Sequence, residues 1–142
     1  MFVIVGVLLI SFLFITGFSR PSCSPLSIEK MPSLEEISAK EAYEIIQKNK
    51  NNSNFVIIDV RTPEEYESGH IENAINIDFY SDNFKDELKK LDKNKNYLVY
   101  CRSGNRSGSS LEIMEELGFK EAYHISGGIS EWKSEGFPIV VD

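Results

Sequence analysis

The sequence predicts an α/β domain: a parallel sheet with helices on both faces. Three observations carry that expectation. Short apolar runs alternate with stretches of helical periodicity, the order that builds a parallel sheet covered on both sides. Two of the runs, Phe55–Ile58 and Tyr97–Tyr100, are unbroken, as strands buried on both faces require. Two capping boxes, Ser38–Glu41 and Thr62–Glu65, mark where helices begin.

Taken in order, the first helix opens at Ser38 and turns Ala42, Ile45 and Ile46 to one side. The polar stretch from Asn49 to Asn54 is a loop, and Phe55–Ile58 is the first strand that can be placed. Thr62 and Pro63 then supply an N-cap and a first-turn proline, and Gly69 ends a short helix. Ala74–Ile77 is the next strand. Ser81 is expected to cap a helix carrying Phe84, Leu88 and Leu91 inward. After Tyr97–Tyr100, Leu111, Ile113, Met114 and Leu117 form a helical face that Gly118 closes. Ala122–Ile125 is the last strand, and a short helix bearing Trp132 follows Gly127-Gly128.

Composition bounds the partners. The formal net charge is -7, with no basic stripe for phosphates, so nucleic acid is excluded. Residues 2–18 are uncharged and almost wholly apolar, at the short limit for a membrane span. Residues 1–19 are therefore read as a signal peptide or an N-terminal membrane anchor, with cleavage before Arg20 as one outcome and lipid modification at Cys23 as another. Each places the protein outside the cytoplasm, periplasmic or secreted, touching membrane only through that segment. Residues 20–34 hold prolines and serines without periodicity and read as a linker, which leaves residues 35–142 as one domain. A monomer is expected.

Cys101 stands where an apolar strand meets a short polar loop and then a helix. Backbone N–H groups and the positive end of a helix dipole both favour a thiolate there, and the thiolate is the nucleophile. Arg102 and Arg106 add positive charge on an otherwise acidic body, so a small anion would be steered by that local field. Four residues separate Cys101 from Arg106, one fewer than a loop that wraps a phosphoryl group would need. The smaller ring suits a single sulfur carried on the cysteine.

Cys101 to Ser107 resembles the active-site loop of the rhodanese-like sulfurtransferases. Ile57-Ile58-Asp59-Val60-Arg61, Pro63-Glu64-Glu65-Tyr66, Gly69-His70-Ile71 and Ala74-Ile75-Asn76-Ile77 are similar to that family's first signature, with Asn73 where glycine is more usual. Gly127-Gly128-Ile129, Trp132 and Gly136-Phe137-Pro138 are similar to its ending. The resemblance implies a rhodanese-like three-layer sandwich with a central five-stranded parallel sheet, and a thiosulfate sulfurtransferase. Cys101 would take a sulfane sulfur from a small anionic donor and pass it, as a persulfide, to cyanide or to a thiol or thiol-bearing protein. Arg102, Ser103, Gly104, Asn105, Arg106 and Ser107 would form the binding loop. No cofactor and no metal are implied. A non-catalytic binding or sulfur-sensing module is the alternative within the fold; a phosphatase or arsenate reductase is opposed by the short loop.

Asp59 and Arg61 end the first placed strand on the same sheet edge as Cys101. Either Arg61 meets the anion with Asp59 supporting it, or the two make a structural salt bridge that fixes the turn. His70 is expected to hydrogen-bond its turn, His124 to be a satisfied half-buried residue, and Trp132 to cover the core.

Overall fold

The computed structural model describes residues 33–141. Along the chain the elements are β1 (Ser33–Ile37), α1 (Ala39–Lys48), β2 (Phe55–Asp59), α2 (Pro63–Glu67), β3 (Ala74–Asn76), α3 (Phe84–Lys89), β4 (Asn96–Tyr100), α4 (Asn105–Glu116), β5 (Glu121–Ile125) and α5 (Gly128–Ser134). All strand pairings are parallel, in the order β1-β5-β4-β2-β3. The expected five-stranded α/β sandwich is therefore observed, with β4 at its centre.

Alternation along each strand divides the core into two layers. Ile58, Tyr97, Val99 and Ala122 pack with Phe84 and Leu88 of α3 and with Leu111 and Met114 of α4. Ile57, Leu98, Tyr100 and Ile125 pack on the other face with Ala39 and Ala42 of α1 and with Ile129 and Trp132 of α5. Trp132 is buried as core and donates its indole N–H to the Pro138 carbonyl at 2.9 Å.

Both capping boxes form as read: Ser38 with Glu41, and Thr62 with Glu65. Asn73 adopts φ 64°, so asparagine supplies the left-handed turn where glycine is usual. His70 holds its turn, with Nδ1 3.1 Å from the Tyr66 carbonyl and its ring stacked on Tyr66. Gly118 closes α4 with φ 83°.

Two expectations change. Ser81 does not cap α3; it forms the preceding turn, accepting from the Phe84 N–H, and α3 begins three residues later. The edge strand β1 was not placed, and it starts at Ser33, inside the stretch read as linker. Its Glu35 and Glu36 are exposed, so it lacks the apolar run that betrays a central strand. The apolar segment 2–18 and Cys23 lie outside the described residues. Among the described residues no helix is long and apolar enough to cross a membrane.

Candidate active site

β4 delivers the nucleophile. The period-two alternation that turns Tyr97 and Val99 toward α4 carries on to Cys101, which is only 1% exposed. The chain then makes a tight loop to α4. Gly104 closes that loop at φ 100°, and a Cβ there would stand 1.9 Å from the Ser126 carbonyl oxygen. Only glycine fits.

Within the loop the Gly104 N–H donates to Cys101 Sγ at 3.1 Å. The Ser107 hydroxyl, from the first turn of α4, lies 3.5 Å from the same sulfur. Burial pushes the Cys101 thiol up, but hydrogen bonds from the Ser107 hydroxyl and from the Ser107, Ser103 and Gly104 amides outweigh it. The thiol pKa therefore falls below its ordinary value. α4 has neither a side-chain cap nor an acidic residue in its first turn, so its positive end is left to the sulfur.

A second element turns the loop's carbonyls outward. The Ile129 and Ser130 amides at the start of α5 donate to the Cys101 and Arg102 carbonyls at 2.9 and 3.1 Å. Gly128 allows that approach, because a Cβ there would come within 2.5 Å of the Cys101 oxygen. With its carbonyls bound from behind, the loop presents N–H groups to the sulfur. The Gly127-Gly128 pair was visible in the sequence as a signature; its role as the loop's rear wall required the fold.

The arginines divide. Arg102 is exposed and lines a cavity of about 340 Å³ with Arg61, Glu65, Ser68, Ile129, Ser130 and Lys133, at the side of the loop. Ser103 and Asn105 are exposed, Asn105 opening α4. Arg106 does not offer its fork to an anion. Its Nη1 and Nη2 grip the two carboxylate oxygens of Glu65 at 2.8 and 3.0 Å, and its guanidinium covers the Tyr80 ring. That grip holds Glu65 down at about 2. The reason is local: Glu65 already faces the loop as part of the α2 capping box, and a planar carboxylate satisfies a guanidinium better than water does.

Arg61, read as either an anion contact or half of a structural pair, makes the pair. Its Nε and Nη2 bind Asp59 at 3.0 and 2.6 Å, and Nη2 also donates to the Gly69 carbonyl at 2.8 Å. A guanidinium only 3% exposed must be paired, and Asp59 supplies the charge. Asp59 keeps its supporting place: it also accepts from the Arg61 N–H, and it sits beside Tyr100 across the β2–β4 ladder, next to Cys101.

His124 was not expected near the sulfur. It is two residues along β5 from Ala122, hence on the α4 face, with Nδ1 3.2 Å from the Ser107 hydroxyl and Nε2 3.2 Å from Glu36. No spacing in the sequence signals a contact that depends on β5 lying beside β4. A larger cavity, about 490 Å³, is lined by Tyr43, Phe55, Asn73 and Trp132. It holds no loop residue, whereas the smaller cavity takes in Arg102 from the loop. Among the described residues no cluster of three His, Cys, Asp or Glu side chains could hold a metal ion.

Known proteins match this arrangement. Residues 38–135 match the sequence profile of the Rhodanese-like domain. Thiosulfate sulfurtransferase GlpE of Coxiella burnetii is 38% identical over 100 residues, covering 70% of this chain and 88% of that protein. The tRNA uridine(34) hydroxylase of Pectobacterium carotovorum is 30% identical, but the chain spans only 34% of its length. Among solved structures, a rhodanese-related protein from Thermoplasma volcanium superposes with a TM-score of 0.66 at 34% identity, covering 76% of this chain and 99% of that one. The chain belongs to the rhodanese-like domain family.

Proposed function

We propose that the protein is a sulfurtransferase that carries a sulfane sulfur on Cys101, with thiosulfate or a similar small anion as donor and a thiol as acceptor. The observation that carries this reading is the sulfur itself, buried yet hydrogen-bonded by the Gly104 amide and within reach of the Ser107 hydroxyl, inside a loop only four residues long before Arg106. A ring of that size suits one further sulfur atom better than a phosphoryl group. Similarity to a thiosulfate sulfurtransferase over most of that relative's length supports the donor class.

The chemistry needs no general base, because both leaving groups depart as stable anions. The Cys101 thiolate attacks the outer sulfur of thiosulfate. A new S–S bond forms as the donor's S–S bond breaks, and sulfite leaves with the bonding pair. The terminal sulfur of the resulting persulfide carries the negative charge, which the loop amides stabilise. An acceptor thiolate then attacks that terminal sulfur, and the electron pair of the broken bond returns to Cys101.

Arg102 and Lys133, both exposed beside the loop, are the cations placed to draw the donor in. Arg106, neutralised by Glu65, does not grip the donor. We extend the proposal to location: residues 2–18 direct the domain out of the cytoplasm. A reporter fused after Pro32 should be active only outside it.

The test of the reaction is mass. Thiosulfate treatment should add the mass of one sulfur atom to the wild-type protein and nothing to Cys101→Ser, with transfer to cyanide or a thiol lost in the variant. Hydrolysis of an aryl phosphate or reduction of arsenate, with no sulfur loading, would replace the proposal by a phosphatase or reductase reading. An unmodified, inactive protein would support a binding or sensing module.

A further inference from the structure

Behind Cys101 a line of hydrogen-bonding groups runs through the fold to its surface: Cys101, Ser107, His124, Glu36. The first three are buried, one directly after β4 and the others on α4 and β5; the last is an exposed carboxylate on β1, in register with His124. The sulfur-transfer steps use Cys101 and the Ser107 hydroxyl but neither His124 nor Glu36.

That hydroxyl has one proton and three acceptors within reach. They are Cys101 Sγ at 3.5 Å, the Gly104 carbonyl at 3.1 Å and His124 Nδ1 at 3.2 Å. Which one receives it depends on the imidazole. Glu36 lies 3.2 Å from Nε2 and accepts the hydrogen bond of its N–H, so a neutral ring presents a bare Nδ1 to Ser107 and draws the hydroxyl proton away from the sulfur. A protonated ring donates from Nδ1 to the hydroxyl oxygen, which frees the Ser107 proton for the thiolate. We propose that His124, oriented by Glu36, is a positioning residue that aims the Ser107 hydroxyl at or away from Cys101, and so couples the nucleophile to protonation at the surface. The proposal rests on the reading of Cys101 as the nucleophile.

Glu36 is the ionised side chain that meets the ring. β4 offers Val99 in register with His124 and, through Ser107, Cys101; α4 offers Ser107 and Gly108, whose Cβ position is 3.5 Å from the ring. The other charged residues of α4 turn away: Arg106 to Glu65, Glu116 to Lys85, with Glu112 and Glu115 exposed. Burial lowers the His124 pKa below its ordinary value and Glu36 opposes that, so the change of state falls on the acid side of the usual histidine range.

The experiment is the pH profile of Cys101 alkylation by iodoacetamide, with His124 titrated in parallel by NMR, in the full chain. The wild-type profile should need two ionisations, the thiol and a more acidic one matching His124. Coupling across one charge-assisted hydrogen bond should change the thiol's ionisation constant by about tenfold between the two states of the ring. His124→Phe should leave a single ionisation. Glu36→Ala, at an exposed position that does not threaten the fold, should move the acidic ionisation to lower pH. It should have no effect on the profile in a Ser107→Ala background, because the relay is cut there. A wild-type profile with one ionisation, or a Glu36→Ala profile identical to wild type, overturns the proposal. Alkylation reads the thiol whether or not sulfur is transferred, so loss of sulfurtransferase activity and loss of this coupling are separate outcomes.

Discussion

Two strand-to-helix junctions stand side by side on the carboxyl edge of the sheet and are built to opposite ends. At the first, β2 runs into α2 through Asp59, Val60, Arg61 and Thr62; at the second, β4 runs into α4 through Cys101 to Gly104. The strands are neighbours, with Asp59 opposite Tyr100. The first junction closes itself. Asp59 takes the Arg61 guanidinium and amide, while the Thr62 side chain caps the helix and Glu65 caps it in return. The second has no side-chain cap, and its free donors converge on a sulfur atom. The same local geometry thus yields either a sealed turn or an anion cradle. Which one appears depends on whether a side chain of the junction takes the helix's positive end.

The comparison breaks most sharply at Gly104. Its positive φ and the 1.9 Å approach to the Ser126 oxygen leave no room for a methyl group. Gly104→Ala should cost about 4 kcal/mol or more in urea unfolding and abolish sulfur transfer. The corresponding N-cap of the first junction, Thr62, sits at φ -64°, which any residue tolerates.

Opening the sealed junction should cost nearly as much but act differently. Asp59→Ala leaves the Arg61 cation buried without its carboxylate, an expected loss of about 3–5 kcal/mol. The Arg61 cation left without its counter-charge should draw the Cys101 thiol pKa down by charge alone. Retained stability in this variant, or a thiol pKa that rises, would show that the first junction is not self-contained.

The two junctions are tied together by Glu65 and Arg106, and that tie should be visible in acid. Glu65 is lowered from 4.5 to about 2 in the folded chain. A depressed folded pKa stabilises the fold fully above the unfolded value, and the contribution is lost as pH falls from about 4.5 toward about 2. The pair is partly solvent-exposed, so its worth is about 1 kcal/mol after screening. Glu65→Gln should flatten the stability profile over that window by this amount; an acid limb unchanged from wild type would mean the pair contributes nothing.

What the sequence makes legible is what is local. Capping boxes, strand runs and the Cys101 loop declare themselves within a few residues, and all of them appear in the fold. The Asp59–Arg61 pair, two residues apart, was open to a structural reading for the same reason. β1 escaped because an edge strand with exposed Glu35 and Glu36 has no buried run to show. The partners of Arg106 and Ser107 escaped because Glu65 is 41 positions from Arg106 and His124 is 17 from Ser107. Neither distance means anything until the strand order brings β2, β4 and β5 together. An arginine near a nucleophile reads as an anion grip until the carboxylate that fills its fork is known.

The finest division between the junctions is a pair of hydroxyl groups. Thr62 and Ser107 both stand at the start of a helix, but they work in opposite directions. The Thr62 oxygen accepts from the Glu65 amide at 3.4 Å, serving the helix. The Ser107 hydroxyl is within reach of Cys101 Sγ at 3.5 Å, serving the nucleophile. Thr62→Ala should therefore lower stability by about 1 kcal/mol, as lost caps do, without moving the thiol. Ser107→Ala should cost no more than about 1 kcal/mol in stability while raising the Cys101 pKa, most strongly where His124 is protonated and the hydroxyl proton is free to face the sulfur. Urea unfolding and thiolate absorbance against pH separate the two effects in one pair of proteins. If Thr62→Ala moved the thiol and Ser107→Ala moved only stability, the sealed and open junctions would have been assigned the wrong way round.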